Sequence, residues 1–356
     1  MNIIDRYIGQ AVITGVFVVL VILTAIYVVF AFGGESGKIG QADYTVWSAI
    51  EYSLYLVPRR LYELFPLSML LGTMLGLGWL ANNNELVIIR LAGISLIRII
   101  GSIMKTAVML MLIAIVIGEG IAPPLHQYAS EQRIKALNRL INVNTDYGLW
   151  AKDGETYINV NRVKNDGRLI GVTLYQFTKD NSIERQIKAN QAIYDVNDEQ
   201  WQLLSVKEIL NKNNNFIVKQ HKEMKWKTLL DLDMVKTVAI PPENLSIWKL
   251  NSYINYLKNN ELEYSKYELV FWTKVFSPLT ILAMVLLAVP FVFGSVRHVT
   301  IGKQILIGFL IGLSFYILSR LIGQMGLVYG VPAAMSALLP TLIVISLTVW
   351  SYRRIR

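Results

Sequence analysis

The sequence predicts an α-helical membrane protein, with six transmembrane helices interrupted by an all-β domain, and three observations carry that prediction. The chain of 356 residues is 54% hydrophobic and only 17% charged, against about 25% charged in a soluble domain. Six stretches stay apolar over the roughly 20 residues that a helix needs to cross a bilayer core. Between the third and fourth of them the sequence changes from long apolar runs to short alternating ones.

The predicted spans are about Gln10–Phe32, Leu64–Ala81, Ile97–Ala122, Val270–Phe293, Gln304–Ile322 and Val331–Trp350. The uncharged run Ala11–Gly34 is longer than the apolar part of a cleavable signal, so it reads as a retained span. Lys105 and Glu119 lie near the ends of the third span and Arg320 near the end of the fifth. Prolines 66, 278, 290, 332 and 340 lie in or beside spans, where packed neighbours tolerate them. Short-loop charge sets the orientation. Arg6, Arg90, Arg98, Lys105, Arg297, Lys303, Arg353, Arg354 and Arg356 fall on one side, against Asp5 and Glu85. The first loop of the other side carries more acid than base. Both termini are therefore expected in the cytoplasm, and the insertion between the third and fourth spans outside. The net charge of +9 fits cytoplasmic loops and anionic lipid better than nucleic acid.

The insertion reads as strands. "TYINVNRV" alternates, with Ile158, Val160 and then Val163 on one face. "LIGVTLYQF" and "RQIKANQAIYDV" are strand-like, and "DVNDEQWQLL" places a turn cluster between two such runs, as in a hairpin. Repeated short strands predict a β-sandwich or a partly open barrel. Ser246–Asn259 turns to helical period, with Ser246 as N-cap and Leu250, Tyr253, Ile254 and Leu257 on one face. The expected domains are 1–122, with three helices and a short helix at 83–93, then 123–266, the β domain, then 267–356, with three more helices.

Enzymatic chemistry finds no support. Without cysteine there is no disulfide, thiol catalysis or thiolate metal site, and His126, His221 and His298 lack zinc spacing. "GGESGKI" and "GKQ" at Gly302 resemble fragments of a phosphate-binding loop but lack its spacing or its final Ser/Thr. The acid pairs Asp231/Asp233 and Glu261/Glu263 sit on polar stretches of the β domain and read as solvated surface. No cofactor or metal is expected.

"LANNNELVIIRLAGISLIRII", Leu80 to Ile100, interrupts two spans with charge. A helix from Asn83 to about Ala92 would bring Leu86, Ile89 and Arg90 near one side. Asn82–Asn84 can cap it, Glu85 stands in its first turn, where the helix dipole favours an acid, and Gly93 ends it. Such a helix suits a permease that docks a separate ATPase, and it suits a plain connector equally well.

Several further stretches carry a resemblance. "DRYIG" at Asp5, "FPLSMLLGTMLGLGWLANNNELVIIRLAGIS", "GEGIAPP", "GLWAKDG" at Gly148 and "FWTKVFSPL" at Phe271 together resemble the LptF/LptG family of inner-membrane lipopolysaccharide permeases over the whole chain. "RYIG" and "GLWAKDG" are closer to its G-type than to its F-type members. The resemblance implies six spans and a periplasmic β-jellyroll. It also implies an F-type partner, a homodimeric cytoplasmic ATPase, a single-span companion with its own jellyroll, and a periplasmic jellyroll bridge. Lipopolysaccharide would enter from the outer leaflet and be pushed upward by ATP-driven closure. Glu85 matches the coupling-helix glutamate of the family, and Leu86, Ile89 and Arg90 share its helix.

Lys38, Arg59 and Arg133 fall where the family places basic residues for lipid phosphates. Arg320 is added from its position inside a span, where a charge is costly. Each of the four also has an interfacial-anchor reading, as does Lys274, for which packing or snorkelling is favoured. Some G-type members carry a lysine within the motif that here reads "VVFAF", with Ala31 in its place. Ile158, Val160 and Val172 are the expected lipid path through the β domain. Two other classes stay open: a lipoprotein-type or force-transmitting transporter subunit, which usually has four spans, and a membrane-anchored sensor, which would need more output domain than "YRRIR".

Overall fold

The computed structural model describes residues 3–137, 149–164, 167–178, 182–195, 198, 200–212, 215–228, 240–293 and 301–355. Arg297, His298, Gly148, Asp231, Asp233 and Arg356 lie outside the described residues. The chain divides into two compact units, residues 1–37, 53–126 and 265–356 in one, residues 38–52 and 127–264 in the other.

The first unit is helical. Its elements are α1 (Ile3–Ser36), α3 (Val57–Asn82), which follows the short α2 (Val46–Tyr55), α4 (Glu85–Leu91) and α5 (Leu96–Ile115). A π-helical turn, Val116–Ile121, joins α5 to α6 (Ala122–Ala136). After α7 (Ile247–Asn259), which belongs to the second unit, three long helices follow: α8 (Ser265–Phe293), α9 (Ile301–Val328) and α10 (Ala333–Ile355). Among the described residues, six helices are long and apolar enough to cross a membrane, one at each expected span. Pro66, Pro278, Pro290 and Pro340 lie inside them. The outward faces stay apolar: on α9, Leu306, Leu310, Leu313, Ile317 and Leu321 recur at helical spacing and are exposed, as a face turned to lipid should be.

Lipid tails are as apolar as leucine, so helices in a bilayer associate through close packing rather than through escape from water. The chain meets this need where α1 crosses α3. A Cβ on Gly15 would fall 2.2 Å from the backbone oxygen of Gly72, and a Cβ on Gly72 would fall 2.3 Å from the Cα of Val16. Around this crossing Ile8, Val12, Val16, Phe65, Met69, Leu77, Ile99, Ile103 and Val285 form one buried cluster, into which α5 and α8 also pack.

The second unit holds a six-stranded sheet: β1 (Leu149–Asp153), β2 (Thr156–Val163), β3 (Leu169–Phe177), β4 (Ile183–Asp195), β5 (Gln200–Lys212) and β6 (Asn215–Trp226). The strands pair in chain order, all antiparallel. The described strands thus form a meander, the all-β domain that the sequence predicts between the two helical halves. The physical reason is connection length: short loops join each strand to the next and permit only a hairpin. The hairpin read from "DVNDEQWQLL" is β4–β5, closed by Asp195 opposite Gln200.

One face of this sheet is buried, and it changes phase midway. The row Val160–Val172–Ala189–Val206 is buried, and so is the row Val163–Leu169–Ala192–Leu203. The two rows are three residues apart on every strand, where strict alternation allows two or four. All four strands slip together, so the pairing register is kept. Between the rows, Gly171 and Ser205 have positive φ, +66° and +53°. The sheet is therefore creased along this line, which explains how Val163 shares a face with Ile158 and Val160. Beside the sheet, α7 (Ile247–Asn259) begins at Ser246, whose hydroxyl accepts from the Lys249 amide, and buries Leu250, Tyr253, Ile254 and Leu257. Tyr256 donates to the Lys152 carbonyl at 2.8 Å, and burial pushes its phenol up to about 12.

The α1–α3 crossing leaves no room for a side chain. Gly15→Val is expected to destabilise the protein by about 1–3 kcal/mol or more, as overpacking does. The check is thermal unfolding in detergent, with Gly33→Val, whose site has open space, as the near-neutral control.

Candidate functional site

The loop between α3 and α5 is the first candidate. Asn84 takes the left-handed conformation, φ +59°, and turns the chain into α4. No side chain caps this helix, so the expected role of Asn82–Asn84 is filled by backbone shape. Gly93, with φ +86°, follows its end, and the Ser95 hydroxyl caps α5 by accepting from the Arg98 amide. Leu86 is 3% exposed and belongs to the helical core, and Ile89 packs partly against it. Ile88 and Leu91 point the other way, 63% and 82% exposed, and Arg90 is exposed beside them. The free apolar surface of α4 is thus Ile88 and Leu91, and the Leu86–Ile89 side is the one that holds the helix in place.

Glu85 is held from α1: the Tyr7 hydroxyl donates to its Oε2 at 2.6 Å. Two residues earlier, Asp5 is 2% exposed. It accepts from the Ser102 hydroxyl on Oδ1 and from Lys105 Nζ at 2.9 Å on Oδ2, with the Arg98 guanidinium 3.7 Å away. The start of α1 is therefore bonded both to α4 and to α5.

A second polar group lies deeper in the helical unit. Lys274 on α8 donates to Glu119 Oε1 at 2.7 Å, and both side chains are largely buried. Glu119 stands on the π-helical turn, a local widening often found at functional positions. The neighbouring Gly118 leaves space for the Tyr62 ring, which a Cβ would meet at 2.3 Å, and Lys274 Nζ lies 5.9 Å from that ring's centre. Lys274 is thus an ion-pair partner as well as a packed side chain.

The expected phosphate-binding residues divide between the units. In the helical unit, Arg59 Nε donates to Glu63 Oε1 at 2.8 Å, Arg60 bonds the other oxygen of Glu63, and Arg60 also lies over the Tyr27 ring at 4.6 Å. Arg320 is exposed on α9 and has no ion-pair partner among the described residues. In the sheet unit, Arg133 lies over the Tyr52 ring at 5.0 Å, and Lys38 is half-buried. Glu63 is thus shared by two guanidiniums, so the three side chains keep a net charge of +1.

Ile158, Val160 and Val172 are each no more than 1% exposed. They line the closed interior of the sheet unit. In the same cross-strand row as Ile158, Leu174 and Ile187 stands Glu208. Its carboxylate meets Arg185 at 2.6 Å and His221 at 2.9 Å. Burial alone would raise the Glu208 carboxyl, but the hydrogen bonds from His221 and Arg185 outweigh it and hold it below the ordinary value.

Sequence reading missed Tyr7, Ser102 and the two long-range pairings, Asp5–Lys105 and Glu119–Lys274. One signal was available. Asp5, Glu119 and Lys274 are isolated charges in apolar helices, and each needs an opposite charge from another helix.

Six membrane-length helices, a short helix between the second and third, and an attached antiparallel sheet define a multi-pass membrane protein of permease architecture. A family model described as "Lipopolysaccharide export system permease LptF/LptG" matches residues 6–354. The Haemophilus influenzae lipopolysaccharide export system permease protein LptG is 35% identical over 356 residues, covering 100% of this chain and 99% of that relative. The LptG protein of Escherichia coli K12 is 35% identical over 354 residues, covering 99% of this chain and 98% of its own. The chain belongs to the LptF/LptG family and is a permease subunit of lipopolysaccharide export.

Removing one partner of a buried ion pair strands the other charge and costs about 3–5 kcal/mol, whereas replacing both can be neutral. Lys274→Met is accordingly expected to destabilise the protein strongly. The double variant Lys274→Met with Glu119→Gln should recover most of that loss, as read by thermal unfolding in detergent.

Proposed function

We propose that the chain is the G-type permease of an ATP-binding-cassette transporter that extracts lipopolysaccharide from the outer leaflet of the bacterial inner membrane. It works as a heterodimer with an F-type permease over a homodimeric cytoplasmic ATPase. A single-span companion and a periplasmic bridge jellyroll receive the lipid. Both termini are cytoplasmic and the β domain, residues 123–266, is periplasmic, between transmembrane halves 1–122 and 267–356. Hydrolysis belongs to the ATPase chain.

The observation that supports this reading best is α4. It sits in a short loop whose side carries the excess of basic residues. Glu85 Oε1 has no partner among the described residues, while Oε2 is held by Tyr7. Ile88 and Leu91 stand exposed beside it. An anchored carboxylate next to two free apolar side chains fits a groove with a basic rim on the ATPase. There closure of the nucleotide dimer would push α4, and with it α3 and α5. Lys38, Arg59, Arg133 and Arg320 supply cations for the phosphates of the lipid headgroup. At Arg59 and Arg60, which share the single carboxylate of Glu63, the remaining positive charge is what a phosphate would meet. Acyl chains need continuous apolar cover in water, which the face bearing Ile158, Val160 and Val172 provides when the sheet unit opens.

Glu85→Lys places a cation where a basic partner is expected, and like charges at an interface cost several kcal/mol. The variant is expected to insert and fold, to lose co-purification with the ATPase, and to release lipopolysaccharide from proteoliposomes about tenfold or more slowly. Wild-type association and transport in Glu85→Lys would return α4 to a plain connector.

A further inference from the structure

We propose that Tyr7 is the positioning residue for Glu85 and that the start of α1 is a second mechanical input, moved by α4 through this hydrogen bond. The inference rests on the reading of α4 as the coupling helix and deepens it. By covalent connection α4 moves only α3 and α5. Two independent contacts add α1. Tyr7 donates to Glu85 Oε2 at 2.6 Å, and Asp5, two residues earlier, is buried under Ser102 and Lys105 of α5. Ile8, on the next residue, shares its core with Leu86 and Ile99. The start of α1 is thus fixed to α5 by charge, to the core by Ile8, and to α4 by one hydroxyl. A hydroxyl on Oε2 also leaves Oε1 without a partner among the described residues, so the carboxylate is oriented before any external cation arrives. From there α1 runs to the close crossing at Gly15 and Gly72, where the backbones touch and a shift of one helix must carry the other.

The test is Tyr7→Phe, which removes a single oxygen, in the assembled transporter reconstituted in proteoliposomes. The readout is lipopolysaccharide released per ATP hydrolysed, beside co-purification with the ATPase. Tyr7→Phe is expected to keep the ATPase bound and to lower the ratio by about three- to tenfold, in line with the loss of one ordinary, solvent-exposed hydrogen bond. Because Tyr7 acts through Glu85, the same change is expected to add nothing in a Glu85→Ala background. A wild-type ratio in Tyr7→Phe, or a further drop of the same size when it is added to Glu85→Ala, overturns the proposal. A silent Tyr7→Phe beside an uncoupled Glu85→Lys refutes only the role of Tyr7. A Glu85→Lys variant with wild-type docking and transport refutes the coupling helix itself.

Discussion

Charge inside a hydrocarbon layer has to be neutralised by the protein, because no water is there to do it. That constraint shapes the helical unit more than any other. Glu119 takes its partner from α8 within the expected spans, and at the span ends Asp5 takes its partners from α5 and Glu63 gathers both Arg59 and Arg60. Each pairing joins helices or fixes the first turns of one, and each fixes rotation as well as distance. Neutral groups are held to a looser standard: the hydroxyls of Ser68 and Thr73 are buried without a partner among the described residues, a smaller cost than a stranded charge. Between the ion pairs, cohesion comes from close contact, most of all where Gly15 meets Gly72.

This division of labour suits a machine that must move without falling apart. Close-packed glycine crossings transmit displacement, since interiors packed to crystal density shift rather than compress. The short helix α4 is the lightest element of the unit. Its inward side, Leu86 and Ile89, seats it in the core, and its outward side, Ile88 and Leu91, is left open. The sheet unit answers a different demand. Its buried face is apolar apart from Glu208, and the crease at Gly171 and Ser205 marks a line along which four strands bend together.

Much of this was legible in the sequence, for physical reasons. Span count follows from length and hydropathy alone, and all six helices lie where the apolar runs lie. The Ser246 cap, the Gly93 stop and the β4–β5 hairpin are local rules and appear as expected. What sequence did not reveal depends on distant partners. Nothing local tells that Tyr7 reaches Glu85, 78 positions away, or that Lys274 finds Glu119. Of the residues expected to couple α4 to the ATPase, Glu85, Leu86, Ile89 and Arg90, the apolar pair Leu86 and Ile89 is the stripe of an amphipathic helix. A stripe shows that a face is covered, and only the tertiary contacts show that here the chain covers it itself. The jellyroll expectation came from family resemblance, and the described strands add the in-order pairing that short loops impose.

The central claim is that the open face of α4 is a docking surface for an ATPase. The most direct measurement is photo-crosslinking in the assembled transporter, with a benzophenone amino acid placed at Ile88, Leu91 or Leu86 in turn. The account predicts adducts with the ATPase from Ile88 and Leu91 and none from Leu86, whose neighbours are within the chain. Adducts from Ile88 and Leu91 to lipid alone, with the ATPase bound and untouched, would contradict it.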